Sequence, residues 1–122
     1  MNEEISFEDW LTQSQARRDE LDAYARSPLP IGNDAYGEIN TLIEAEDDAN
    51  RLLADAQTYL TQATAKAVLD IKTRYAENSA DERKILVKDA VCKVQRLCDG
   101  IEVTARAMGS RRFLAMNLNS SK

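Results

Sequence analysis

Apolar residues recur at steps of three and four over two long stretches of the sequence, and this spacing restricts the chain to a helical fold. The first stretch runs from Ala49 to Tyr75 and the second from Val87 to Met108. Steps of three and four place side chains on one face of a helix, as in the heptad repeat of coiled coils. Pro and Gly are concentrated inside the chain in residues 27–37. The pattern therefore predicts an all-α fold.

Capping patterns and this loop give the expected boundaries. Ser6 can cap a helix that ends before Pro28, and Ser79 with Glu82 forms an S-x-x-E capping box. The sequence predicts a single helical domain over residues 1–122, with a helix at 6–26, a loop at 27–37, a long helix at 38–77, a helix at 80–108 or longer, and a basic tail at 109–122. Gly109 either ends the last helix or lies inside a helix that continues to Leu118.

The expected architecture is a short N-terminal helix followed by a long antiparallel helical hairpin. A helix of some forty residues spans roughly 60 Å at 1.5 Å per residue, which is long for a small monomer. We therefore expect the hairpin to pack in an oligomeric bundle, as a homo-oligomer.

The net charge of −5 conceals a strong asymmetry between the two parts of the chain. Residues 1–50 carry 13 acidic and 3 basic side chains, a net charge of −10. Residues 51–122 carry 8 acidic and 13 basic side chains, a net charge of +5. Such asymmetry indicates either an anionic partner for the basic part or attraction between the two parts, within one chain or between copies.

Composition argues against several classes of protein. The chain has no histidine and two cysteines, Cys92 and Cys98, so it cannot supply the four ligands of a structural zinc site. Nucleotide-binding glycine motifs and the G-x-S-x-G motif of hydrolases are absent. We expect no catalytic residue, metal or cofactor. No apolar stretch is long enough to span a bilayer, and the N-terminus has no apolar signal core. We expect a cytoplasmic protein without a membrane partner.

Acidic residues cluster in the sequence EAEDD at residues 44–48. On a helix, Glu44 and Asp48 share a face, whereas Asp47 points elsewhere. The cluster is either a solvated helix face or a surface for a protein partner. Under the second interpretation, Glu44, Asp47 and Asp48 bind the partner.

Basic residues collect in the last third of the chain. Lys84, Lys88 and Arg106 lie beside one edge of the predicted third-helix seam. In the tail, Arg111 and Arg112 can contact phosphates, and the adjacent Phe113 can stack on a base, as in proteins that bind single-stranded nucleic acid. The alternative is structural, because Arg at a helix C-terminus interacts favourably with the helix dipole and Phe113 can be packed.

The stretch RLCDGIEVTARAMGSRRFLAMNL, in which Cys98, Asp99 and Gly100 precede a Ser-Arg-Arg-Phe run at 110–113, resembles the end of UvsY-type recombination mediators of bacteriophages. The resemblance implies a homo-oligomer that binds single-stranded DNA and helps a recombinase replace single-strand-binding protein. The implied DNA contacts are Arg111, Arg112 and Phe113, with Arg106 and Lys88 as a supporting basic surface. The acidic N-terminal part would then contact a basic protein partner or a neighbouring subunit.

Two functions remain open on this basis, besides the possibility of a purely structural helical bundle. The first is a non-enzymatic, phage-type accessory protein of homologous recombination that binds single-stranded DNA and helps load a recombinase in the host cytoplasm. The alternative is a helical protein–protein interaction module, such as a virion component or an inhibitor of a host protein. The heptad seams and the acidic N-terminal part favour the alternative, and the basic tail favours the first.

Overall fold

A computed structural model of the chain describes residues 6–28 and 34–120. Over these ranges the chain forms helices and no strand, and the elements are α1 (Phe7–Arg26), α2 (Asp34–Arg74), α3 (Ala80–Ala90) and α4 (Cys92–Ser120). The prediction of an all-α fold is confirmed. Residues 29–33 of the predicted loop, and residues 121–122 at the end of the predicted tail, lie outside the described ranges.

Two serine caps fix where α1 and α3 begin. The Ser6 hydroxyl accepts the backbone N–H of Asp9 at 3.1 Å, and the Ser79 hydroxyl accepts that of Glu82 at 3.2 Å. Acidic residues follow in the first turn of each helix, where the helix dipole favours negative charge. Both caps agree with the sequence prediction, because the capping residues and their partners lie within one turn of each other.

The long helix α2 has 41 residues, which correspond to a length of roughly 60 Å. It begins earlier than the predicted residue 38 and ends three residues before the predicted residue 77. Tyr75, the last apolar residue of the predicted seam, lies in the following turn and is 42 % exposed. The turn is closed by a hydrogen bond from the Asn78 N–H to the Tyr75 carbonyl at 3.1 Å.

The predicted third helix is divided at Val91, whose backbone (φ −108°, ψ 7°) leaves helical geometry. The chain direction is nevertheless maintained across the break, because the Val91 N–H donates to the Val87 carbonyl at 3.2 Å and the Gln95 N–H donates to the Val91 carbonyl at 3.0 Å. Beyond the break, α4 continues through Gly109 to Ser120. The longer of the two predicted C-terminal boundaries is therefore correct, and most of the predicted tail is helical.

The helices α2 and α4 lie antiparallel, and α1 packs beside both of them. Leu11 of α1 clusters with Ala56 of α2 and with Val94, Leu97, Cys98 and Ile101 of α4. Leu21, further along α1, clusters with Leu42, Ala49, Met108 and Ala115. Trp10 stacks on Tyr59 with ring centroids 4.1 Å apart. We call this part the three-helix half; it comprises α1, α2 up to residue 60 and α4 from Val94.

In the rest of the described structure, two antiparallel helical segments pack together without a third helix beside them. This hairpin end comprises residues 61–93, that is, the last part of α2, the turn, α3 and the start of α4. No residue of α3 is buried, and its Val87 is half-buried. Leu69 and Ile85 are 68 % and 66 % exposed. The core therefore lies in the three-helix half, and the hairpin end presents apolar side chains to solvent.

Candidate nucleic-acid interface

Arg111 was predicted to contact phosphate, but the structure buries it inside the three-helix half. Leu97, Thr104 and Arg111 recur every seven residues on the side of α4 that faces α1, and all three are buried. The Arg111 side chain is 5 % exposed and forms an ion pair with Glu38 of α2, whose side chain is 9 % exposed. The prediction for Arg111 is corrected accordingly, because its guanidinium is enclosed within its own chain.

Several groups at the end of α1 complete the surroundings of Arg111. Its Nε donates to Glu38 Oε1 at 2.9 Å, and its terminal nitrogens donate to the carbonyl oxygens of Ser27 and Pro28. The guanidinium lies 4.8 Å from the centre of the Tyr24 ring, and the Tyr24 hydroxyl donates to Glu38 at 2.9 Å. Burial, together with this hydrogen bond to Glu38, raises the pKa of Tyr24. Arg111 thus joins α1, α2 and α4.

Arg112, the second predicted phosphate contact, also has an acidic partner in the chain. Its Nε donates to Glu46 of α2 at 2.9 Å, and the two side chains are 37 % and 24 % exposed. Arg106 is mostly exposed, and it pairs with Glu102 one turn earlier on α4 at 2.6 Å. Phe113 is 63 % exposed. Of the predicted contacts on α4, only Arg106 and Phe113 therefore extend well into solvent.

Lys84 and Lys88, the two predicted contacts on α3, lie in a different part of the molecule. They border an open groove of about 390 Å³ between α2 and α3 at the hairpin end. We call it the hairpin groove; its apolar lining comprises Val68, Ile71, Ala80 and Val87, and its basic lining comprises Lys72, Arg83, Lys84 and Lys88. Lys72, Lys84 and Lys88 are exposed, and Arg83 is half-buried.

The basic side chains without an acidic partner are concentrated around this end. Among the residues that the structure describes, these are Lys66, Lys72, Arg83, Lys84, Lys88, Lys93 and Arg96. Arg96 lies where the hairpin end meets α1, and the others belong to the hairpin end. The remaining arginines of the described ranges all form ion pairs. Cations that lack local partners create a positive potential that attracts anions.

Lys72 and Arg83 were not among the predicted site residues. Lys72 lies on the last turn of α2, and Arg83 lies on the first turns of α3, directly after the connecting turn. An antiparallel hairpin places these two regions beside each other, so the predicted break at residue 79 would have been enough to group Lys72 with Arg83 and Lys84. The charge count alone does not show this grouping.

The predicted partner-binding acids are largely engaged within the three-helix half. Asp48 pairs with Arg17 of α1 at 2.9 Å, so it contributes to the contact between α1 and α2. Asp47 pairs with Arg51 at 2.9 Å on an exposed face of α2. Glu44 is exposed and lines a shallow depression with Arg17, Tyr24 and Asp48. The cluster therefore neutralises arginines of the same chain.

Both cysteines are free, with Cys98 buried and Cys92 half-buried. Burial raises the pKa of the Cys98 thiol. Residues 6–28 and 34–120 contain no group of three acidic or cysteine side chains arranged to hold a metal ion. None of the described helices is both long and apolar enough to cross a bilayer.

Comparison of the chain with protein-family models, with curated proteins and with solved structures gives no match.

Proposed function

We propose that the protein is a non-enzymatic accessory factor of homologous recombination, which binds single-stranded DNA and helps load a recombinase. The observation that carries the proposal is the concentration of unpaired Lys and Arg side chains at the hairpin end. The resemblance to UvsY-type mediators supplies the setting in recombination. The DNA contacts are assigned to Lys72, Arg83, Lys84 and Lys88, in place of the arginines on α4.

Contacts of this kind recognise the phosphate backbone and not the bases. Lys and Arg neutralise phosphates, and the released counterions make binding strongly dependent on salt. The lining of the hairpin groove contains no aromatic side chain on which a base could stack. Tyr75, in the adjacent turn, is 42 % exposed and is the aromatic group nearest to the groove in sequence. We therefore expect binding with little preference for base sequence.

Self-association would place several hairpin ends along one strand of DNA. Three exposed apolar side chains on α4 offer surface for contact between copies: Phe113, Leu114 and Met116. A homo-oligomer would also raise the affinity for a long strand, since later contacts are made within the same complex. Recombinase or single-strand-binding protein would be the protein partner, in the cytoplasm of the host cell.

A titration of labelled oligo-dT across salt concentrations tests the proposal. Four phosphate contacts, each contributing about −0.7, predict a slope of about −3 for the logarithm of the binding constant against that of salt concentration. Replacing Lys84→Gln and Lys88→Gln together should weaken binding and reduce the slope by about 1.4. The matched control is Arg26→Gln with Arg51→Gln, which removes two exposed charges that already have acidic partners.

Two results would contradict this proposal. One is the absence of binding at about 50 mM salt, where phosphate contacts are strongest. The other is an equal loss of affinity in the control and in the lysine variant. This result would show that affinity depends on the net charge of the protein and not on the position of the lysines.

A helical protein-interaction module is the second candidate, and the apolar lining of the hairpin groove favours it. Val68, Ile71 and Val87 supply aliphatic surface that a DNA backbone does not need. A protein segment would use both this surface and the cations. Binding of such a segment without any binding of oligo-dT would select the second candidate over the first.

A further inference from the structure

We propose that the hairpin groove binds an acidic amphipathic helix of a protein partner, in competition with single-stranded DNA. The inference rests on the proposed function, because it names the kind of protein segment through which a DNA-loading factor would engage its partner. Two properties of the groove define the occupant, namely its aliphatic lining and the four basic side chains that also line it.

The aliphatic lining is already formed by packed elements. Ile71 of α2 is 7 % exposed and Val87 of α3 is half-buried, so both are held in place by the helices that carry them. Val68, one turn before Ile71, is 48 % exposed and extends the lining towards solvent. A groove between two helices that is lined in this way suits apolar side chains spaced at i, i+3 and i+7 on one face of a helix.

The cations determine which helix would fit. Lys72, Lys84 and Lys88 are exposed at the edges of the groove, and none of them pairs with an acid in the described residues. Their long side chains can cover apolar surface while the ammonium groups remain in water. A helix with Asp and Glu beside its apolar face would pair with these groups, whereas a basic helix would be repelled.

The helix α1, which completes the core of the three-helix half, does not reach into the hairpin groove. α1 covers α2 and α4 only in the three-helix half, where its Leu11 and Leu21 fill the two core clusters. Within residues 6–28 and 34–120, no equivalent third helix packs on the hairpin end, and its aliphatic lining is open. A partner helix in the groove would pack as a third helix on the hairpin end, as α1 does in the three-helix half.

The test uses the full chain and a synthetic acidic helical peptide with leucines at i, i+3 and i+7, labelled for fluorescence anisotropy. We expect saturable binding that unlabelled oligo-dT displaces. A peptide of the same length with Lys in place of its acidic residues, and a scrambled acidic peptide, should each bind at least about tenfold more weakly.

Two variants separate the lining from the cations. Val68→Asn should weaken peptide binding about fivefold and leave oligo-dT binding unchanged, because only the peptide uses the aliphatic surface. Leu69→Asn is the matched control, since Leu69 is adjacent and 68 % exposed but does not line the groove. Lys84→Gln with Lys88→Gln should weaken the binding of both ligands.

The outcomes keep the two proposals distinguishable. If oligo-dT binds through the lysines but the acidic peptide does not bind, or binds as well as its scrambled form, the peptide site is refuted and DNA binding remains. If the acidic peptide binds and oligo-dT does not displace it, the competition is refuted. Equal effects of Val68→Asn and Leu69→Asn would also contradict the assignment of the peptide to the groove.

Discussion

The three-helix half and the hairpin end differ in how their basic side chains are used. In the three-helix half, Arg17, Arg111 and Arg112 each pair with an acid on another helix, and these pairs help to hold α1, α2 and α4 together. At the hairpin end, Lys84 and Lys88 have no acidic partner among the described residues. Basic side chains, here arginines, therefore support the fold in the three-helix half, whereas the lysines of the hairpin end remain available for a ligand.

Ion pairs within the chain also account for part of the charge asymmetry between residues 1–50 and residues 51–122. The acidic first fifty residues neutralise Arg111 and Arg112 of α4 within one chain, through Glu38 and Glu46. Of the alternatives that the sequence left open, attraction between the two parts of one chain accounts for these arginines. The excess positive charge that remains belongs to the hairpin end, and it is there that an anionic partner is expected.

The largest effect is expected from Arg111→Met. The substitution leaves the buried Glu38 without its cation, and breaking a buried ion pair costs about 3–5 kcal/mol of unfolding free energy. Urea denaturation measures the loss. Replacing Glu38→Leu in the same chain should recover part of it, because the uncompensated carboxylate is removed while the Tyr24 hydroxyl and the carbonyls of Ser27 and Pro28 still lack their former partners. A single variant as stable as the wild type would show that Arg111 does not hold the helices together.

A second prediction compares two leucines on the same helix. Leu42 of α2 is fully buried in the three-helix half, whereas Leu69 of α2 is 68 % exposed at the hairpin end. Leu42→Ala should lower the unfolding free energy by about 2–5 kcal/mol. Leu69→Ala should change it by less than about 0.5 kcal/mol. Similar losses in both variants, measured by urea denaturation, would mean that the hairpin end is covered in solution.

The third prediction concerns the contact between α1 and α4 at Asp22. The buried Thr104 hydroxyl donates to Asp22 Oδ1 at 3.0 Å, and Arg26 pairs with the same carboxylate. Burial acts to raise the pKa of Asp22, but hydrogen bonds from Arg26 and Thr104 outweigh it, so the pKa is lowered. Because the pKa of Asp22 is lower in the folded state, its carboxylate stabilises the fold at pH values above its pKa in the unfolded chain, about 3.9. This stabilisation is lost as the pH falls and the folded protein takes up the proton.

Thr104→Val should therefore cost about 1–2 kcal/mol at neutral pH, and the difference from the wild type should narrow below about pH 4 as Asp22 becomes protonated. Denaturation in urea at a series of pH values measures this. Thr104→Ser keeps the hydroxyl and should retain the pH dependence. A loss that is constant across pH would assign the effect of Thr104 to packing.

Those features that depend on neighbours in sequence could be predicted, and those that depend on the alignment of distant helices could not. The caps at Ser6 and Ser79 and the seam from Val87 to Met108 are local, so the spacing predicts them. The break at Val91 was not predicted, because the seam continues across it with the same steps.

The pairing of Arg111 with Glu38 joins residues 73 positions apart. It depends on how far α2 and α4 overlap, which their separate sequences do not state. The sevenfold recurrence of Leu97, Thr104 and Arg111 was nevertheless present in the sequence. With the longer of the two predicted helix ends, at Leu118, this recurrence indicates that Arg111 faces the interior.

The smallest effects are expected from alanine substitutions at the two glycines inside α4. Contacts with the neighbouring helices decide whether each substitution raises or lowers the free energy of unfolding. Alanine in place of glycine favours a helix by about 1 kcal/mol. A Cβ on Gly109 would lie 3.4 Å from Glu46 Oε2, an ordinary contact, so Gly109→Ala should stabilise the protein by up to about 1 kcal/mol. A Cβ on Gly100 would lie 3.3 Å from Arg18 Nε, and the guanidinium would have to shift. Gly100→Ala should therefore stabilise the protein less, with a net change in unfolding free energy near zero. Equal stabilisation of the two variants in thermal and urea denaturation would show that the Arg18 guanidinium shifts away from the new Cβ at no cost.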